Sequence, residues 1–121
     1  MATKRKSSKA KGLRAKLPAF MRIGVYRWSL EMWDPVIADA AECVGQCDRM
    51  DLIIRVRTDI TDTRFAECLM HEIVHACWFV AGLGEDESEE TVVERLTHAL
   101  LQARRDNPEV FKFIDTAIAE A

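Results

Sequence analysis

The chain has 121 residues, 49% of them apolar, with 17 Lys or Arg against 20 Asp or Glu and a formal net charge of −3. That length supports one hydrophobic core and is too short for two. No apolar run approaches a bilayer span, and the basic N-terminus lacks the apolar stretch and small-residue cleavage site of a secretory signal, so the expected location is cytoplasmic with no membrane partner.

Charge is distributed unevenly. Residues 1–16 (MATKRKSSKAKGLRAK) carry seven Lys or Arg and no acid, leaving 10 basic residues against 20 acidic ones in the remainder. The expected organisation is a basic, flexible tail over 1–18 and one domain over 19–121. Two roles for the tail stay open: a solubilising extension, or a weak, salt-sensitive contact of residues 4–16 with nucleic acid.

After the tail, FMRIGVYRWSLEMW (20–33) is rich in aromatic and branched residues and predicts one or two strands. Asp34-Pro35 breaks it, and PVIADAAEC reads as a helical turn or a loop. Leu52, Ile54 and Val56 alternate with Ile53, Arg55 and Arg57, the pattern of a half-buried strand. The CDRM segment before it reads as the turn of a hairpin whose first arm begins near Val44. Cys43, Cys47, Cys68 and Cys77 form no CxxC pair and are expected as free thiols acting as small buried hydrophobes.

From about Thr61 the period changes. Phe65, Leu69, Ile73, Ala76 and Val80 recur on one helical face, with Asp59, Thr61 or Asp62 as N-cap and Gly82-Leu83-Gly84 as the stop. A second helix starts in EDESEE, capped by Ser88 or Asp86, with Val92, Val93, Leu96 and Leu100 marking its apolar arc. Asn107-Pro108 opens a short third helix. Strands followed by helices predict an α+β domain, a small N-terminal antiparallel sheet preceding three helices.

The first helix carries two of the three histidines, in ECLMHEIVHACWF (67–79). His71, Glu72 and His75 form HExxH. Histidines at i and i+4 stand one above the other, so both imidazoles can reach one ion, while the glutamate lies about a quarter-turn away. That placement suits a general base acting on a water activated by zinc, not a third ligand. The third ligand must come from elsewhere. If the first two helices fold back about the glycine turn, residues 90–94 come beside the histidines. Glu90 is then the expected ligand and Glu94 the acceptor for an imidazole N–H, with Glu89 as competitor. His98 and Tyr26 are candidates for stabilising an oxyanion.

HEIVH followed by a glutamate on the next helix resembles the gluzincin zinc metallopeptidases. The likeness is greatest to the ImmA/IrrE-type group and to short HExxH proteins of phages and prophages. CDRMDLIIRV is similar to their hairpin, ECLMHEIVHA to their active-site helix, and ETVVERLTHALL to their glutamate helix. The resemblance implies a minimal zincin-like fold, a Zn2+ cofactor and hydrolysis of a peptide bond in a protein partner, within the host cytoplasm if the chain is phage-encoded. DLIIRVRT is a candidate edge strand for pairing with an extended peptide. The competing expectation is a catalytically silent, metal-stabilised binding protein that reaches nucleic acid through its tail.

Overall fold

The computed structural model describes residues 12–120. Its elements, in chain order, are β1 (Phe20–Ile23), β2 (Tyr26–Trp33), α1 (Pro35–Ala40), β3 (Gly45–Asp48), β4 (Ile53–Arg57), α2 (Asp62–Val80), α3 (Glu89–Asp106) and α4 (Pro108–Ala119). The α+β expectation holds, but the sheet is mixed, not antiparallel. Its order is β1-β2-β4-β3, with antiparallel outer pairs and a parallel central pair, β2 with β4. The reason lies in α1. It takes the chain away after Trp33, so that the β3–β4 hairpin returns with β4 running alongside β2. Four-stranded order also makes β4 central and β3 the edge, so the segment expected to offer a free edge does not do so.

The hairpin turn is displaced as well. Cys47 and Asp48 belong to β3, and the turn occupies 49–52, where the Asp48 carboxylate accepts from the Met50 and Asp51 amides. Leu52 takes a positive φ there.

One face of the sheet supplies Met21, Ile23, Trp28, Ile54 and Val56 to the core, and α2 lays Phe65, Leu69, Ile73, Ala76 and Cys77 across it. Phe113 of α4 meets Phe65 edge-on at 5.7 Å between ring centroids. Burying these apolar groups is the main stabilising contribution. The ends of α2 are set locally. The Thr61 hydroxyl accepts from the Arg64 amide at the start. At the far end Gly82 adopts φ +66°, while the amides of Gly82 and Leu83 return to the carbonyls of Phe79 and Trp78, closing a Schellman motif.

Residues 1–11, and with them most of the expected nucleic-acid segment, lie outside the described residues. Leu13 and Leu17, within the segment expected as tail, pack against the core. Arg14 donates to Asp62 at 2.8 Å, to the Thr58 carbonyl at 2.7 Å and to the Ile60 carbonyl, with its guanidinium over the Phe65 ring. No helix among the described residues is long and apolar enough to cross a membrane.

The two sheet edges are treated differently. At β1, Asn107 is buried and clamps the strand, accepting from the Arg22 amide and donating to the Arg22 and Ala103 carbonyls, each at 2.7 Å. Gln102 adds bonds to the Gly24 amide and the Arg22 carbonyl. Leaving such buried groups unpaired is costly. Asn107→Ala is therefore expected to destabilise the fold by about 2 kcal/mol or more in urea unfolding. A loss below about 0.5 kcal/mol contradicts the clamp.

Candidate metal centre

Placing the Phe65–Leu69–Ile73–Ala76 line on the sheet fixes every other residue of α2. His71 and His75 emerge on the exposed side, and Glu72, a residue later than His71, is turned inward against the sheet and is only 7% exposed. The two Nε2 atoms lie 3.1 Å apart, with ring centroids 4.8 Å apart. One ligating atom from each of His71, Glu72 and His75 lies within 4.8 Å of the other two.

This donor set fits a divalent metal. Two nitrogens each bound at 2.0–2.1 Å to one tetrahedral zinc are separated by roughly 3.3 Å. The Nε2 atoms already converge to that spacing. Without an ion, the same contact is a hydrogen bond between one protonated and one unprotonated ring nitrogen. Two imidazoles and a carboxylate suit zinc and several other first-row divalent ions.

Glu72 sits against the edge strand. A Cβ on Gly45 would lie 3.0 Å from Glu72 Oε2 and 2.9 Å from the Arg55 carbonyl oxygen. Only glycine lets β3 run this close to the carboxylate. Clefts open on both sides of Glu72. One, of about 300 Å³, is lined by residues that include Cys43, Gly45, Glu67, Cys68 and His71. The other, of about 390 Å³, is lined by Cys47, Arg49, Glu72, His75 and Trp78. A third, of about 510 Å³, separates the histidines from Ile114 and Ile118 of α4.

The cysteines carry no disulfide among the described residues. Burial, with Glu72 adding to it and Arg49 opposing, pushes the Cys47 thiol up to about 11. Burial also lifts Cys77 to about 11, and raises Cys68. These thiols are protonated at neutral pH, as small hydrophobes would be. Cys43 and Cys47 nevertheless line the clefts, together with Gly45 and Arg49. Sequence reasoning missed all four in this role, because CVGQCDR (43–49) has no alternation that marks it as the segment beside the site.

The expected partners on α3 are placed elsewhere. Glu90, Glu94 and His98 are exposed, and neither Glu90 nor Glu94 joins the group around the histidines. The cause is helical phase. The buried arc of α3 runs through Leu96, Ala99, Leu100 and Ala103, whereas Val93 is 58% exposed. Glu90, Glu94 and His98 lie about half a turn from that arc. The competitor Glu89 is exposed too. Beside the histidines stands α4, not the first turns of α3. No hydrogen bond among the described residues joins Glu94 to either imidazole. Tyr26 opens β2 and stacks on Phe79 at 6.0 Å.

Compared with known proteins, the chain matches no family model, no curated protein and no solved structure.

Burial raises the Glu72 carboxyl above its ordinary range, and His71 and His75, when charged, partly offset this. The native chain thus holds a proton that the unfolded chain has already released, so stability falls as pH rises through that interval. Glutamine removes the penalty. In calorimetry of metal-free protein, Glu72→Gln is expected to melt above wild type at pH 8, the gap closing below the ordinary glutamate value of about 4.3. A gap independent of pH contradicts the burial argument.

Proposed function

We propose that this domain is a zinc-dependent metallopeptidase acting on extended polypeptide. The observation that carries the reading is the convergence of His71 and His75 at 3.1 Å, with the buried Glu72 carboxylate beside them on the same helix. When bound, the divalent ion supplies Lewis acidity, acidifying water and polarising a carbonyl.

His71 and His75 would hold the ion through their converging Nε2 atoms. Glu72 accepts a proton from the attacking water and returns it to the leaving amine. Its raised affinity for protons makes it a better base near neutrality than a solvated glutamate. A third carboxylate ligand would have to come from the first turn of α3, which in this structure stands apart from the histidines. Glu90 is our choice and Glu89 the competitor; neither has an ion-pair partner among the described residues.

The substrate pairs with β3. The Val44 carbonyl accepts from the Arg57 amide at 3.0 Å, so antiparallel alternation directs the backbone groups of Gly45 and Cys47 away from β4. No hydrogen bond from outside the sheet reaches them among the described residues. Addition of an extended chain there sets its peptide groups beside Glu72.

Zinc-loaded wild type is expected to cut unfolded protein substrates. Glu72→Gln should keep the metal and lose turnover by about a hundredfold or more, read by mass spectrometry of the products. Equal turnover removes the base role. Zinc that raises the melting temperature without any cleavage by wild type favours the metal-stabilised binding protein instead.

A further inference from the structure

Arg49 follows β3 directly and lines the cleft that also contains Glu72, His75 and Trp78. Its charge is uncommitted. Arg55 is held by Glu31 and Asp48, and Arg57 by Asp39 and Asp59. Asp48, the acid next to Arg49, is occupied by Arg55 and two turn amides. Among the described residues no carboxylate pairs with Arg49. Its guanidinium lies 5.9 Å from the centroid of the Phe79 ring, a contact that leaves its N–H donors free.

The opposite cleft has no such free cation, since Glu67 beside His71 is already paired with Arg64. A peptide along β3 therefore meets a cation at the Arg49 end. The guanidinium fork matches a carboxylate, forming two parallel N–H···O bonds. In a cleft that already holds the Glu72 carboxylate, an anionic group needs such a cation to enter.

We propose that Arg49 is the specificity-determining residue of this site, binding a carboxylate of the peptide that lies along β3. The proposal rests on the metallopeptidase reading and narrows its substrates to peptides with an Asp or Glu side chain, or a free C-terminus, close to the scissile bond.

The test uses the full chain with Glu72→Gln, zinc-loaded and immobilised. It is offered acetylated octapeptides that differ only as Glu or Gln, Asp or Asn, and C-terminal acid or amide. Mass spectrometry measures retention, and quenching of Trp78 fluorescence, by comparison with Trp78→Phe, locates it. Acid forms are expected to be retained about tenfold over their amides. Adding Arg49→Gln should erase the preference and Arg49→Lys should keep part of it. The pair of peptides that responds, internal or terminal, identifies the source of the carboxylate. Equal retention of acid and amide forms, no retention of any peptide, or a preference that survives Arg49→Gln overturns the proposal. Digesting the same peptides with zinc-loaded wild type separates the two readings. Acid retention without cleavage sinks the peptidase and leaves Arg49 standing; cleavage indifferent to acids does the reverse.

Discussion

The structure depends on α2 lying flat across the sheet. Once Phe65, Leu69, Ile73 and Ala76 are pressed against Met21, Ile23, Trp28, Ile54 and Val56, the 3.6-residue period leaves no freedom for the residues between them. His71 and His75 must leave on the outer side, one above the other, and Glu72 must turn toward the sheet. The site's geometry is a by-product of core packing. The backbone positions from which the two imidazoles and the carboxylate project are fixed by the same packing.

The sheet completes the arrangement through its edges. One edge is closed by Asn107 and Gln102, which satisfy the backbone of β1 with side chains from the end of α3. The other, at β3, has no strand or side-chain partner among the described residues, and Gly45 brings that backbone against Glu72. An exposed edge is a hazard that proteins usually cover. Here it adjoins the clefts on either side of Glu72. On the metallopeptidase reading that edge has a use, as the place where an extended chain pairs.

Much of this was legible in the sequence, and the limits have physical causes. The α2 face, both its boundaries, the Ser88 cap of α3 and the Pro108 start of α4 follow from periodicity and turn chemistry that act over a few residues. HExxH was legible because its geometry is contained within one helix. Partners drawn from other elements were not. The phase of α3 turned on whether Val93 or Ala99 faced the core, a choice made by packing against α2 and not by hydropathy. The place of β4 in the sheet depended on α1 acting as a crossover, and six residues of weak pattern do not announce one. For the same reason Gly45 and Arg49 looked like parts of an ordinary hairpin until β3 was seen beside α2.

Whether His71 and His75 act together on one ion decides the account most directly. The measurement is the zinc content of purified chain after zinc loading and exhaustive dialysis, for wild type and for His71→Ala with His75→Ala. One zinc per wild-type chain and none in the double variant is the predicted result. Wild type that retains no zinc, or a double variant that retains as much, would contradict it.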